Sequence, residues 1–305
     1  ALIDRFGGQA DIQNRVIRHV DEGTFRRDPL RAIRAAQFAA RLEFAIAPET
    51  MALCRTLDLG GLARERVMGE MEKALTRSRR PSRCFEALRE MGQLEPWLKE
   101  VAALIGVKQR ADCHPEGDAW THTMLVVDEA AKLRNEAKNP TGLMLAALLH
   151  DVGKAVAMQE KDGVIHAYGH ETAGVPLAEE FLRRLTGEKA LCRYVLNMVE
   201  LHMKPNLYAA QNSGQKAWNR LFDRSACPED LLLLAKADHR GRINAAPYAE
   251  TERMIRARLS AYEEMMARPH IMGADLLARG IQPGEEMGPV SYTHLRAHET
   301  LRHLV

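Results

Sequence analysis

The sequence predicts an all-α protein, and three observations lead there. Apolar residues between positions 28 and 272 recur at the three- and four-residue spacing of a helix face and do not alternate as in a half-buried strand. Ala, Leu, Glu, Arg and Met are abundant and clusters of β-branched residues are rare, a composition that favours helix over sheet. Helix-start signals punctuate the pattern at Asp28-Pro29, Asp118 and Asn139-Pro140. Each supplies a carboxylate or amide able to cap, and two add a proline suited to the first helical position.

Bulk composition excludes several classes. A chain of 305 residues, 46% hydrophobic and 28% charged, can bury one large core or two modest ones. The five cysteines are odd in number and widely spaced, with no C-x-x-C pair, so neither a disulfide framework nor a thiolate zinc site is signalled; a reducing cytoplasm is the expected compartment. The apolar run Gly142 to Leu149 is far shorter than the roughly 20 residues of a membrane span, and no membrane partner is expected. The net charge of +2 gives no argument for nucleic acid by itself. Arg64, Arg66, Lys73, Arg77, Arg79, Arg80 and Arg83 nevertheless crowd one helix and its exit, either as a phosphate-facing surface or as a solvated helix face.

The elements follow in order. Residues 1–27 open on the turn-like Asp4–Gly8, which reads as the continuation of an earlier element, so the N-terminus is expected to be truncated. A helical array then runs over 28–113. Asp28 is expected as its N-cap, with Leu30 and Ile33 facing inward and Arg31, Arg34 and Arg41 sharing a face whose guanidinium forks suit base edges and phosphates. The segment His114–Gly117 separates this array from a second bundle over 114–272. That bundle holds a helix from Asp118, a helix after Asn139-Pro140, and the one strand-like stretch, "DGVIHAYGH", read as a loop or small hairpin. Further helices follow, broken by the polar stretch Gln211–Gln215. Residues 273–289 follow the bundle. Residues 290–305, opening "VSYTHLRAHET", break its pattern and read as an in-frame sequencing-adapter scar; His294 and His298 are set aside with them.

The strongest chemistry lies in "LMLAALLHDVGK", where seven apolar residues run directly into His150-Asp151. A carboxylate at the end of an apolar helix is unfavourable unless paired or bound to a metal, so a cation is the economical explanation. Successive helical positions point about 100° apart, which lets His150 and Asp151 grip one ion while the second Asp151 oxygen serves another. Lys154 either contacts a substrate phosphate or is a solvated lysine past a helix end, and Glu171 is open between orienting a ligand and carrying a proton. His122, His170, His202 and Asp238 are each weak signals alone.

In order, however, His122, His150-Asp151, His170, His202 and Asp238 resemble the H…HD…H…H…D pattern of HD-domain phosphohydrolases. The resemblance implies one metal site from His122, His150, Asp151 and Asp238, and a second from His170 and His202 sharing Asp151. Mn, Fe, Ni, Zn or Mg would suit such ligands, and His150, Asp151 and Lys154 are the expected catalytic residues.

Residues 2–44 resemble the junction between the nucleotidyltransferase palm and the neck helices of class II CCA-adding enzymes and bacterial poly(A) polymerases, through Asp4, Phe6, Gly7, Gly8 and Asp11 and through Asp28, Pro29, Leu30, Arg31 and Arg34. The stretch "ARERVMGEMEKAL", with Arg66 and Glu70, is similar to the next neck motif, "HPEGDAWTHTMLVV" to the link into the HD domain, and residues 273–288 to a closing motif. The resemblance implies a neck and body array followed by an HD bundle, with Asp28, Arg31, Arg34 and Arg66 as nucleotide-binding residues. It also implies CTP, ATP and the tRNA acceptor end as partners and a phosphoester substrate at the HD site. The sequence departs from the pattern at Arg27, where an acidic residue is usual. The palm's G-G-x-x-R-D loop and D-x-D carboxylates, which hold magnesium in that family, do not occur in this chain, so nucleotide transfer is not expected of it alone. A poly(A) polymerase piece, a free-standing HD phosphohydrolase and a non-catalytic RNA-binding module are the alternatives.

Overall fold

The computed structural model describes residues 3–110, 115–161 and 164–267; residues 273–289 and 290–305 therefore lie outside the described residues, as do His114, His294 and His298. The fold is helical, as the periodicity predicts. The first array comprises α1 (Gly8–Gln13), α2 (Glu22–Arg27), α3 (Leu30–Leu42), α4 (Pro48–Arg55), α5 (Arg64–Arg77), α6 (Ser82–Glu90) and the short α7 (Lys99–Ala102). Within it, β1 (Val16–Ile17) pairs in parallel with β2 (Ala45–Ile46). This two-residue pairing is too short to leave an alternating pattern, and "DGVIHAYGH" is thus not the only strand-forming stretch.

Helix α3 organises this array. Leu30 and Ile33 are buried, and Ala32, Ala36 and Ala40 are fully buried at four-residue spacing. Such a stripe of small side chains lets α5 and α6 pack closely on α3. The expected N-cap at Asp28 is corrected: Pro29 holds the cap position in helical geometry, and no side chain caps the helix. The Asp28 carboxylate is drawn away to Arg66 Nη2, 3.0 Å from both of its oxygens, because the ion pair outcompetes a neutral backbone N–H.

The second array is built from α8 (Ala119–Leu133), α9 (Pro140–Leu149), α10 (Lys154–Ala157), α11 (His170–Leu185), α12 (Lys189–Leu201), α13 (Met203–Ala210), α14 (Gln215–Arg224), α15 (Pro228–Arg240) and α16 (Ala249–Ala267). The caps at Asp118 and Asn139 form as expected, accepting from Thr121 N and Gly142 N. Between α10 and α11, β3 (Gln159–Lys161) and β4 (Val164–His166) make the small antiparallel hairpin.

Helix α9 is apolar all round, with Leu143 to Leu149 fully buried, and it packs against α8, α12 and α15. A helix without a polar face belongs at the centre of a bundle. Asp230 fixes its start: the buried carboxylate accepts from Lys138 N, Asn139 N and the Tyr194 hydroxyl at 2.9, 3.0 and 2.6 Å. The two arrays share one apolar core and are joined by polar ties as well. Asp128 on α8 accepts from Ser82 N and Oγ, and Arg184 on α11 pairs with buried Glu100.

Candidate metal centre

The centre lies at the C-terminal end of α9. His150 closes that helix, Asp151 sits on the turn beyond it, and His202 closes α12. Two helix C-termini, each carrying partial negative charge, thus point toward one place and favour a cation there. His122 comes from α8, Asp238 from α15, and His170 from the first residue of α11. Gly153 allows α11 to come this close, since a Cβ at that position would stand 2.0 Å from the His170 carbonyl oxygen and 2.5 Å from Gly174 N.

Asp151 is the hub. Its Oδ2 lies 3.2 Å from His150 Nε2 and 3.7 Å from His122 Nε2, and its Oδ1 lies 3.2 Å from His170 Nε2 and 3.8 Å from His202 Nε2. Asp238 Oδ1 is 3.1 Å from His122 Nε2. All six side chains are buried. They form two donor sets able to hold an ion, His122–His150–Asp151 and Asp151–His170–His202, with Asp238 beside the first.

The ring tautomers suit cation binding. His150, His170 and His202 each donate from Nδ1 to a backbone carbonyl three residues back, of Ala147, Ala167 and Val199, at 2.7–2.8 Å. His122 donates from Nδ1 to Glu116 Oε1 at 2.8 Å. With Nδ1 carrying the proton in every ring, each neutral imidazole turns an Nε2 lone pair inward. His150 Nε2 and Asp151 Oδ2 are buried without an aligned hydrogen bond. A buried imidazole nitrogen without a hydrogen bond, facing a carboxylate oxygen whose one close partner is the Lys154 ammonium and backed by three more imidazoles, fits the donor set of a divalent transition metal.

Electrostatics agree. Burial opposes ionisation of Asp151, but His150 and Lys154 outweigh it and hold the carboxyl well below its usual range. Burial is likewise outweighed at Asp238, by the His122 hydrogen bond and by Arg242. Burial and neighbouring His150 push His202 down to about 3, so it stays neutral. At His122 the Asp238 and Glu116 carboxylates overcome burial and raise the pKa, and Asp151 does the same at His170.

Lys154 is not a solvated lysine: it is buried, with Nζ 2.7 Å from Asp151 Oδ2 and 2.6 Å from Gln109 Oε1. Glu171 lies 3.8 Å from His170 Nδ1 and 3.9 Å from Lys204 Nζ, at the edge of the cluster. Sequence reasoning missed Glu116 and Gln109. Glu116 stands six residues before His122 in the same loop-to-helix segment, a signal visible only once His122 is known to need a partner.

The second candidate cluster is on the first array. Asp28 and Arg66 form an ion pair, Arg34 Nε lies 3.8 Å from the buried Glu70 on α5, and Arg31 is exposed in the first turn of α3. Much of the basic run is internally compensated: Arg64 pairs with Glu65, Lys73 with Glu70 and Arg80 with Asp128.

A helical bundle with histidines and aspartates converging at the end of its central helix defines an HD domain, and the HD domain family matches residues 119–243, a span containing all six residues of the cluster. The family described as "Probable RNA and SrmB- binding site of polymerase A" matches residues 43–105, which includes Arg66. A multifunctional CCA protein of Actinobacillus pleuropneumoniae serotype 5b (strain L20) is 38% identical over 79% of this chain and 61% of its own length. One from Burkholderia pseudomallei (strain 1106a) is 38% identical over 85% and 64%. One from Ralstonia nicotianae is 39% identical over 84% and 60%. The chain thus spans under two thirds of the curated relatives it matches. A CCA-adding enzyme solved with ATP superposes with a TM-score of 0.57 at 15% identity, covering 96% of this chain and 60% of that one. One solved with CTP gives 0.56 at 16%, covering 96% and 61%, and both likenesses concern the fold. The chain belongs to the family of CCA-adding tRNA nucleotidyltransferases that carry an HD domain.

Proposed function

We propose that residues 114–272 form a divalent-metal-dependent phosphohydrolase acting on phosphoesters such as 2′,3′-cyclic phosphates. The observation that carries this reading is the inward convergence of His122, His150, Asp151, His170, His202 and Asp238, with His150 Nε2 buried and without a hydrogen bond among the described residues. His122, His150, Asp151 and Asp238 would hold one ion, and Asp151, His170 and His202 a second. A bound divalent cation supplies Lewis acidity at this point, acidifying water and neutralising charge on phosphoryl oxygens.

The protein's own groups do the rest. Glu116 and the three backbone carbonyls fix the imidazole tautomers, and Asp151 holds the Lys154 ammonium beside the cluster. Lys154 donates to a phosphate oxygen of the substrate, and burial strengthens that contact by excluding water. Hydrolysis of a cyclic phosphodiester then adds a hydroxyl to phosphorus, breaks one P–O(ribose) bond and returns a proton to the released ribose oxygen.

Residues 28–113 are proposed as the nucleotide- and RNA-facing part, with Asp28, Arg31, Arg34 and Arg66 toward CTP or ATP and the basic surface toward the tRNA acceptor end, in a cytoplasmic protein. Addition of CCA would require the magnesium-binding carboxylates of a palm domain, whose motifs do not occur in these residues. Hydrolysis of adenosine 2′,3′-cyclic phosphate by the metal-loaded protein tests the phosphohydrolase reading, and its absence across Ni, Mn, Fe, Zn and Mg would refute it.

A further inference from the structure

Asp151 Oδ2 stands between two cationic positions. It is the oxygen turned toward the first donor set, 3.2 Å from His150 Nε2 and 3.7 Å from His122 Nε2, and the Lys154 ammonium lies 2.7 Å from the same atom. A divalent ion on that oxygen and an ammonium beside it repel each other, and burial keeps water from screening them. Lys154 is itself buried, and a buried ammonium that gives up its carboxylate without finding another acceptor is strongly disfavoured. The centre therefore needs a second acceptor within reach of Lys154 Nζ.

Gln109 supplies it. Its Oε1 lies 2.6 Å from Lys154 Nζ, and because an ammonium only donates, the oxygen and not the nitrogen of the amide must face it. The side chain is buried and its Nε2 has no hydrogen bond among the described residues, so the contact with Lys154 is the one that orients the amide. The backbone that delivers Gln109 is fixed by the opening of α8. Gly106 N donates to the Asp118 carboxylate at 2.8 Å, Ala119 N to Val107 O at 2.9 Å and Trp120 N to Leu104 O at 3.2 Å, and Lys108 forms a β-bridge with Asp118. Asp118 also caps the helix that carries His122. Gln109 lies between α7 and α8, outside the helices that carry the six candidate ligands, and reaches the centre from the end of the first array.

We propose that Gln109 is a positioning residue of the metal centre, an alternative acceptor that takes the Lys154 ammonium and frees Asp151 Oδ2 for a divalent cation. The first array thereby helps set the affinity of a centre whose candidate ligands all lie in the second. The proposal rests on the metal-centre reading above and on nothing about the substrate.

Competition with a metal-binding dye, measured on the full chain for Zn²⁺ and Mn²⁺, tests it. Gln109→Met keeps the length of the side chain and removes the acceptor, and is expected to weaken metal binding about tenfold. Gln109→Asn, whose amide stops one bond short of Nζ, should weaken it likewise, whereas Gln109→Glu restores an acceptor and should keep near-wild-type affinity. In a Lys154→Met background the Gln109→Met change is expected to have no effect, because the ammonium it serves is gone; a merely structural residue would lose as much there as in wild type. Wild-type affinity in Gln109→Met, or an equal loss in the two backgrounds, would overturn the proposal. A wild type that takes up neither Zn²⁺ nor Mn²⁺ removes the metal-centre reading and this proposal with it. The expected pattern in a protein that hydrolyses no cyclic phosphate leaves the proposal standing and removes the phosphohydrolase reading alone.

Discussion

Glu116 Oε1 accepts a hydrogen bond from His122 Nδ1 at 2.8 Å, and Glu116 Oε2 lies 3.3 Å from Ile243 N, just beyond the helix that carries Asp238. One carboxylate therefore fixes the tautomer of a candidate ligand and ties it to the segment beside another. Such outer partners typically change metal affinity by about 10- to 100-fold. Glu116→Gln should weaken metal binding within that range while the helical circular dichroism spectrum is retained. Affinity measured by competition with a metal-binding dye checks this, and unchanged affinity would mean that the contact is only structural.

The turn at Gly153 is a packing requirement. A Cβ there meets backbone atoms, not the yielding tip of a side chain, so α10 and α11 would be driven apart at the point where His170 approaches Asp151. Gly153→Ala should destabilise the protein by about 1–3 kcal/mol in urea titration and also lower metal affinity. A stable variant with normal metal affinity would show that the contact relaxes.

Asp230 anchors α9 through three hydrogen bonds from a fully buried carboxylate. Asp230→Ala strands two backbone donors and the Tyr194 hydroxyl, and should cost about 3 kcal/mol of stability. Chemical denaturation reads this directly. A loss under about 1 kcal/mol would mean that water replaces the carboxylate.

The Asp28–Arg66 pair should behave oppositely. Its side chains are 27% and 50% exposed, and exposed ion pairs contribute about 0–1 kcal/mol. Asp28→Asn and Arg66→Ala should leave stability nearly unchanged while weakening CTP and ATP binding. A large stability loss with unaltered nucleotide binding would make the pair a structural clamp and remove these residues from the nucleotide site.

How far these features were legible depended on their range in sequence. The bundle and the caps at Asp118 and Asn139 could be read because they are local: periodicity and a polar residue before an apolar run suffice. His150-Asp151 could be singled out because it ends an apolar helix, whereas His122, His170, His202 and Asp238, each weak alone, were reached only through the resemblance to the H…HD…H…H…D pattern. Asp28 misled because its carboxylate had two outlets, and the competing one, Arg66, lies 38 residues away on another helix. Gln109 carried no local signal, since its link to the cluster is a hydrogen bond from Lys154, 45 residues away.

Asp151 is proposed to join two groups of imidazoles into one metal centre with hydrolytic activity. Metal content by plasma mass spectrometry, taken with hydrolysis of adenosine 2′,3′-cyclic phosphate, tests it on wild type, His150→Ala and Asp151→Asn. Wild type should retain a divalent transition metal and hydrolyse the substrate. Both variants should lose metal and fall at least about 100-fold in rate. Variants that hydrolyse like wild type, or a wild type that binds no metal, would show that Asp151 does not organise a hydrolytic metal centre.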